Sequence, residues 1–356
     1  MVTRVDPMPN PASSSSLIPT VREKDVVNVA TVNVRYDNGT NSSSSSSSIF
    51  SSNSNKYAEK PWSERKSRLI DCLLSTGELD IVGFQEVLHN QLSDIQSLLG
   101  DGYGHVGVGR DDGGKAGEYS PIFYNKVKFE VVKWTTIWLS PTPDKPSKGW
   151  DAALPRIATL LTLRQRHKND ELLHAVNTHY DHLGLRARAE SSLLIRSQIY
   201  DWVKKVEEEA KVAKEGPVIL FGDFNSPSDE AGYRNITSPH PLPSGQNSFY
   251  FLDSFTNLFS GLQTRPYGPA HTYTDFAPPG SRNATRIDFV MLGAVPHTPR
   301  RENEGGEGSD EKPKPISRGG WKVDRYACFD NFVEGDVEGW TGRWSDHRAV
   351  RVRISR

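Results

Sequence analysis

The stretch Val218–Ser226 reads VILFGDFNS and joins an apolar run directly to Asp223 and Asn225. The run VILF is typical of a short buried strand. A carboxylate beside a buried strand destabilises the fold unless a cation or hydrogen bonds compensate its lost hydration. Taken alone, the Asp-x-Asn-Ser-Pro sequence also fits a turn. We expect the strand to present these two side chains to a functional site.

The same arrangement of an apolar strand next to polar residues recurs on both sides of this stretch. The polar residues at these strands are Asn33, Glu86, His179, Asp288, Asp346 and His347. Carboxylates, histidines and amides that converge on one end of a sheet predict a site for a hard divalent cation. Because oxygen ligands prevail in this set, Mg²⁺ or Mn²⁺ is favoured over Zn²⁺.

Between these residues, short β-branched or aromatic runs alternate with helical patterns. The predicted strands are Val26–Val34, Ile81–Glu86, Ser120–Tyr124, Phe129–Trp138, Ile157–Arg164, Leu172–Thr178, Val218–Phe221, Arg286–Leu292 and Arg348–Ile354. The predicted helices are Trp62–Ser75, Leu92–Leu99 and Ala187–Ala213. We expect the third and fourth strands to form a meander and the fifth and sixth to pair. The pattern predicts a four-layered α/β sandwich, with two mixed β-sheets packed face to face and helices outside.

Composition narrows the class of protein. The 356 residues include 43 Lys and Arg against 44 Asp and Glu, a formal net charge of −1, so charge alone would not hold long nucleic acid. No apolar run approaches the roughly 18 residues that a membrane helix needs. Two cysteines, Cys72 and Cys328, exclude a disulfide-rich scaffold and a four-cysteine zinc site, and we expect two free thiols rather than a bridge.

Low-complexity segments outline the domain organisation. Residues 1–22 are rich in Pro and Ser and are expected to be disordered, and residues 23–356 to form a single domain. Within it, residues 38–56, with seven serines at Ser42–Ser48, and residues 298–320, charged and rich in Gly and Pro, are predicted insertions. No secretory signal is visible, so a cytoplasmic or nuclear location is the default, with secretion as the alternative if an upstream signal was trimmed.

The order of the motifs resembles the endonuclease/exonuclease/phosphatase superfamily, which includes pancreatic-type deoxyribonuclease. Along the chain these motifs read NV, FQEV, NTH, GDFNS, RIDFV and WSDH. The resemblance runs from about Asp25 to Arg356 and is strongest to a microbial branch whose substrates are mostly undefined. It implies the α/β sandwich fold and metal-dependent hydrolysis of a phosphoester.

The resemblance also implies a role for each residue. Glu86 corresponds to the glutamate that binds the catalytic metal, and Asn33 and Asp346 to further metal ligands. Asp223 and Asn225 correspond to the pair that positions the attacking water and the phosphate, Asp223 as a possible general base. In the same way, the resemblance implies that His347 contacts phosphate, that Asp288 holds the ring of His347, that His179 is a second active-site histidine and that Glu118 orients His179.

Two departures from the superfamily pattern bear on the substrate. Val34 and Arg35 replace the second ligand of repair-type members, and Leu88 replaces an arginine of deoxyribonuclease-type members. The segment SKGWDAALPRIATL adds three candidate substrate-binding residues, Trp150, Asp151 and Arg156. Arg156 is suited to a bidentate phosphate contact and Trp150 to stacking.

We therefore predict a phosphodiesterase or nuclease that acts on single-stranded or terminal nucleic acid with Mg²⁺ or Mn²⁺, and expect a monomer. The alternative is a phosphatase or phosphodiesterase for a small molecule such as a sugar phosphate, an inositol phosphate or a lipid headgroup. A third possibility, a non-catalytic scaffold, conflicts with the complete set of metal and water-positioning residues.

Overall fold

The structure is a computed structural model that describes residues 26–39, 56–167, 170–258, 263–296 and 316–356. The predicted disordered segment 1–22 and most of both predicted insertions (residues 40–55 and 298–315) lie outside the described residues. Residues 316–320, which the sequence assigned to the second insertion, belong to the described fold, and the buried Arg318 donates to the carbonyl oxygen of Gly216. Among the described residues, no helix is long and apolar enough to cross a membrane.

Helices are interspersed among the strands along the chain. The helices are α1 (Trp62–Ser75), α2 (His89–Leu99), α3 (Leu185–Ala210) and α4 (Ala231–Thr237). The strands are β1 (Val26–Asn33), β2 (Ile81–Gln85), β3 (Tyr103–Val106), β4 (Ile122–Asn125), β5 (Phe129–Trp138), β6 (Ile157–Gln165), β7 (Leu172–His179), β8 (Val218–Asp223), β9 (Tyr250–Asp253), β10 (Asp288–Ala294), β11 (Lys322–Phe329), β12 (Phe332–Val333), β13 (Gly342–Arg343) and β14 (Ala349–Ser355). The first helix has the predicted bounds.

Two six-stranded sheets form the centre of the fold. The first has the order β11-β14-β1-β2-β4-β3, and the second the order β5-β6-β7-β8-β10-β9. Both are mixed, because β1–β2 and β7–β8 are parallel while their other neighbours are antiparallel. The predicted pairing of the fifth and sixth strands is confirmed in β6 and β7.

Apolar residues on the facing sides of the sheets form one buried cluster, which includes Val29 and Val352 of the first sheet and Phe221 and Val290 of the second. The outer side of the first sheet packs on α1 and α2, and that of the second packs on α3. The layers therefore run helix, sheet, sheet, helix, which confirms the predicted four-layered sandwich. Both cysteines are free thiols.

The predicted meander is wrong, because β4 and β5 belong to different sheets. The side-chain oxygen of Asn125 accepts hydrogen bonds from the backbone N–H groups of Val127 and Lys128, in a turn that carries the chain from one sheet to the other. β4 pairs with β2 and β3 in the first sheet, whereas β5 pairs with β6 in the second. Period-two patterning identifies strands, but it does not identify their partners.

Strand direction brings the predicted polar residues to one edge of the sandwich. Asn33 pairs with Gln85 at the ends of parallel β1 and β2, so Glu86 follows at that edge. On the second sheet, Asp223 pairs with both His179 and Asp288. The two sheets therefore present their functional residues to the same end of the fold.

Candidate active site

A cavity of about 700 Å³ opens at this edge between the ends of the two sheets. The predicted residues that line it are Glu86, Glu118, Arg156, His179, Asp223, Asn225, Asp346 and His347. Asn33 and Asp288 are fully buried and hydrogen-bond to lining residues. Trp150 and Asp151 are not among the lining residues.

Asp223 and Asp288 hold His347 between them. His347 Nδ1 lies 2.8 Å from Asp288 Oδ2, and its Nε2 lies 3.6 Å from Asp223 Oδ2. Burial opposes protonation of this ring, but the charges of the two carboxylates raise the pKa of His347 well above its usual value. Burial, with the charge of Asp288, also raises the pKa of Asp223 to about 7.

His179 lies on the other side of Asp223, with 3.6 Å between its Nε2 and Asp223 Oδ2. Asn225 Nδ2 lies 3.0 Å from His179 Nε2 and donates to the carbonyl oxygen of Tyr180. Burial and the charge of Arg156 hold the pKa of His179 well below its usual value. One carboxylate therefore lies between a charged imidazole and a neutral one.

Glu118 lies near His179 but does not hydrogen-bond to it. Glu118 Oε2 is 3.8 Å from His179 Nδ1 and accepts a 2.6 Å hydrogen bond from Arg110 Nη1. Burial and the charge of Glu86 raise the pKa of Glu118. The positive charges of Arg110 and Arg156 act in the opposite direction and lessen this increase. In this geometry the guanidinium of Arg110 is the closer partner of the Glu118 carboxylate.

Glu86 and Asp346 present carboxylates to the same cavity from the first sheet. Glu86 Oε1 accepts from Asn33 Nδ2 at 2.9 Å, and Oε2 accepts from the backbone N–H of Tyr36 at 3.2 Å. Asn33 Nδ2 also donates to Asp223 Oδ2 at 3.0 Å, while its oxygen accepts from the backbone N–H of Arg35. Asn33 therefore bridges the carboxylates of the two sheets.

The donor set fits a divalent cation. Burial raises the pKa of Asp346 to about 6, and the charge of Glu86 adds to this effect while the charge of His347 opposes it. The charge of Glu86 therefore acts on Asp346 within the same cavity. The acidic lining residues are Glu86, Glu118, Asp223, Glu230 and Asp346, and the arginines are Arg35, Arg156 and Arg188. Carboxylates thus outnumber the arginines, and oxygen ligands of this kind suit Mg²⁺ or Mn²⁺.

A second group with metal-ligating atoms is Asp223, Asp288 and His347, whose ligand atoms lie within 4.8 Å of one another. Both ring nitrogens of His347 already face carboxylates, and a protonated imidazole has no lone pair for a metal. Metal binding there would require His347 to lose its proton, so Glu86 and Asp346 are the better-suited pair.

Arg156 is 4 % exposed and reaches the cavity through a partly unsatisfied guanidinium. Its Nη2 lies 3.0 Å from His182 Nδ1 and its Nε 3.4 Å from Asp181 Oδ2. Its Nη1 has no hydrogen-bond partner among the described residues and lies 4.0 Å from Glu118 Oε2. Asp151 instead caps α3, because its carboxylate accepts from the backbone N–H groups of Arg186 and Ala187.

The cavity includes residues that the sequence analysis did not select. They are Arg35, Tyr36, Leu154, His182, Arg188, Pro227, Glu230, Tyr273, Asn283, Thr285 and Ile287. Arg35 directly follows the end of a predicted strand, so the criterion that selected the other site residues could have identified it. Arg188 lies inside a helix and pairs with Glu230 at 2.8 Å, a contact that no local sequence pattern predicts.

Comparisons with known proteins find similar sequences and similar folds. The model of the Endonuclease/Exonuclease/phosphatase family matches residues 30–347. The structure of the endonuclease/exonuclease/phosphatase from Bacteroides vulgatus is 31% identical, with a TM-score of 0.66 over 93% of this chain and 98% of that one. A mannosyl-6-phosphatase from Bacteroides thetaiotaomicron is 28% identical, with a TM-score of 0.66 over 93% of this chain and 100% of that one.

The human Nocturnin catalytic domain with bound sulfate is 17% identical and shares the fold, with a TM-score of 0.55 over 93% and 96% of the two chains. The search among curated proteins found no match.

Proposed function

Because the chain belongs to the endonuclease/exonuclease/phosphatase family, we propose that it is a divalent-metal-dependent hydrolase of small organic phosphate esters. The observation that carries this proposal is the cavity of about 700 Å³, with Asp223 between His347 and His179 and with a carboxylate pair suited to a metal. Cavities of a few hundred to about 1,000 Å³ are typical of small-molecule sites. The 28% identity to a mannosyl-6-phosphatase makes a sugar phosphate the first substrate to try.

In this proposal Glu86 and Asp346 hold the cation, and Asn33 fixes the position of Glu86. A bound Mg²⁺ or Mn²⁺ supplies a Lewis acid that polarises a phosphoryl oxygen. Asn225 holds the neutral His179 beside the phosphate through the 3.0 Å contact between Asn225 Nδ2 and His179 Nε2, and Arg156, which lines the cavity, offers its positive charge to the phosphate. Together these groups orient the phosphorus towards the attacking water, which Asp223 activates.

The two proton transfers of the reaction follow from the protonation states of Asp223 and His347. Asp223, whose pKa is raised to about 7, accepts a proton from the attacking water as the new P–O bond forms. His347 carries a proton on Nε2, faces the cavity and donates it to the ester oxygen as the bond to the alcohol breaks. Asp288 holds the imidazolium through Nδ1, so the ring cannot turn away from the leaving group.

The prediction of a nucleic-acid substrate stays untested. It rested on the position of His179, which resembles that in nuclease branches, together with Trp150 as a stacking residue and Arg156 as a phosphate clamp. His179 and Arg156 line the cavity, whereas Trp150 does not. A nuclease is therefore the second candidate, supported by the cavity position of Arg156.

The decisive assay measures phosphate release from mannose 6-phosphate and p-nitrophenyl phosphate beside the length of a fluorescent single-stranded oligonucleotide. Each substrate is tested with Mg²⁺, with Mn²⁺ and with EDTA. We expect metal-dependent phosphate release and an intact oligonucleotide. Metal-dependent shortening of the oligonucleotide would instead support the nuclease.

Asp223→Asn tests the assigned base, with Asp71→Asn on the exposed face of α1 as the matched control. We expect Asp223→Asn to lower kcat/KM by about 10²-fold or more, because general base catalysis contributes roughly that much. Asp71→Asn should retain the wild-type value. Equal activity of both variants would refute the assignment of Asp223.

A further inference from the structure

Three exposed leucines lie at one side of the cavity mouth. Leu154, Leu183 and Leu185 are 38%, 67% and 62% exposed. Leu154 lines the cavity, as does His182, the residue directly before Leu183. Leu185 begins α3 one turn before Arg188, which also lines the cavity, so these two residues lie on one face of the helix.

The leucines belong to two loops that a single buried carboxylate joins. Asp181 Oδ2 accepts from the backbone N–H of Leu154 at 3.3 Å, and Oδ1 accepts from those of Leu183 at 3.0 Å and Gly184 at 2.7 Å. Since two leucine amides contact one side chain, their α-carbons are neighbours. We call these three exposed leucines at the cavity mouth the leucine rim (Leu154, Leu183 and Leu185).

Further contacts hold the rim in place. Asp151 accepts from the first backbone N–H groups of α3, and this ties the loop of Leu154 to the helix that carries Leu185. The loop approaches so closely that a Cβ atom at Gly184 would lie 2.7 Å from Asp151 Oδ1. The leucines are thus held exposed on a hydrogen-bonded framework, and covering their apolar surface with a ligand is favourable because it removes that surface from water.

We infer that the leucine rim binds an extended apolar part of the substrate, so that the preferred phosphate ester carries an alkyl chain or a comparable apolar group. This inference rests on the proposed function and names the substrate class for the same site. The rim meets the cavity at Leu154, and Arg156 and His182, which lie 3.0 Å apart, line the same cavity. The phosphate then occupies the polar end of the cavity while the organic group extends over the rim.

The test uses n-alkyl phosphates from ethyl to octyl, whose leaving groups have nearly equal reactivity. We expect kcat/KM of the wild-type protein to rise by about two- to fourfold for each methylene that the rim covers. The double variant Leu183→Ser/Leu185→Ser should flatten this dependence. The matched control is Leu74→Ser/Leu98→Ser, because these leucines are 40% and 36% exposed on α1 and α2. The control should keep the wild-type slope.

The outcomes separate the inference from the proposed function. Hydrolysis of every ester with no dependence on chain length would overturn the leucine rim and leave the phosphatase standing. No hydrolysis of any ester would overturn the phosphatase itself. Sedimentation velocity adds a third outcome: a dimer that the rim variant dissociates would assign the leucines to self-association and overturn substrate binding. The wild-type slope is decisive even if a variant fails to fold.

Discussion

At the scale of single residues, Asp223 is the centre of the site because its two histidine neighbours differ in charge. Asp288 and Asp223 stabilise the proton on His347, whereas burial and nearby arginines keep His179 neutral. His347 is therefore able to donate a proton, whereas the neutral His179 is able only to accept a hydrogen bond or to orient a neighbouring group. Two identical side chains acquire different chemistry from their surroundings alone.

Glu86 and Asp346 lead to a prediction that does not depend on turnover. Because a cation that binds only the folded state stabilises it, Mg²⁺ or Mn²⁺ should raise the thermal unfolding midpoint of the wild-type protein above that in EDTA. Saturation at about 100 times the dissociation constant corresponds to about 2.7 kcal/mol. Differential scanning fluorimetry with increasing metal measures this shift.

The variant Glu86→Gln removes one charge from the proposed metal pair and should lose most of this shift. The control Asp71→Asn removes a charge from the exposed face of α1 and should keep it. A metal-dependent midpoint that is the same in wild type and Glu86→Gln would place the cation elsewhere, for example at Asp223, Asp288 and His347.

The sequence predicts the residues of the site better than their contacts. The strand-end residues selected from the sequence either line the cavity, as Glu86, His179 and Asp223 do, or are buried and bonded to lining residues, as Asn33 and Asp288 are. Asp151 differs, since its helix-capping contact depends on the loop geometry before α3. Arg110 was missed because its contact with Glu118 forms across a loop without periodic pattern.

At the scale of elements, β2 approaches the second sheet so closely that Gly83 has no room for a side chain. A Cβ atom there would lie 2.3 Å from the Phe221 ring and 2.9 Å from Asn177 Cγ. We expect Gly83→Ala to lower the free energy of unfolding by about 1–3 kcal/mol through overpacking. The control Gly102→Ala meets nothing within 4 Å and should stay within about 0.5 kcal/mol. Urea denaturation that ranks the two variants equally would contradict this packing.

The start of α3 and the loop of Leu154 depend on the charge of Asp181. Burial opposes ionisation, but backbone N–H groups of Gly184, Ala153 and Leu183 lower the pKa of Asp181 to about 2. Since the folded pKa lies below the unfolded value, the stabilisation is complete above about pH 4 and is lost as the pH falls towards 2.

Asp181→Asn should therefore be less stable than wild type at pH 6 by about 2 kcal/mol, the contribution of hydrogen bonds to a charged group. The difference should shrink as the pH falls to 3. Urea denaturation at pH 6, 4.5 and 3 measures it, with the exposed Asp101→Asn as control. A difference that stays constant with pH would show that the charge of Asp181 has no part in joining the loops.

Element types were easier to predict than strand partners. The pattern of α1 defines both of its ends, because apolar residues at helical spacing coincide with its buried face. The sheet to which β5 belongs depends on one turn at Asn125, which the sequence pattern does not distinguish from a hairpin. Short edge strands such as β3 and β9 carry too few residues for a periodic signal.

At the scale of the whole molecule, a buried polar network joins the sheets beneath the active site. Gln85 Nε2 donates to Thr31 Oγ1 at 3.0 Å and to Asn177 Oδ1 at 2.7 Å. Asn177 Nδ2 donates in turn to the carbonyl oxygens of Phe84 and Pro121, both at 2.8 Å. The network therefore links β1 and β2 of the first sheet to β7 of the second. Because unpaired buried amides are strongly destabilising, separating the two sheets would require a large free energy.

This network and the shared apolar cluster predict that the described fold unfolds as one unit, as expected of a single domain. Glu86 and His347 come from the side of the first sheet and Asp223 from the second, so catalysis requires both sheets in register. Activity, far-UV circular dichroism and tryptophan fluorescence should all be lost at the same urea concentration. Trp344 and Trp62 report on the outer core of the first sheet. If activity and part of the circular dichroism signal were lost while these tryptophans stayed buried, the two sheets would be separate folding units, joined too weakly to hold the catalytic residues in register.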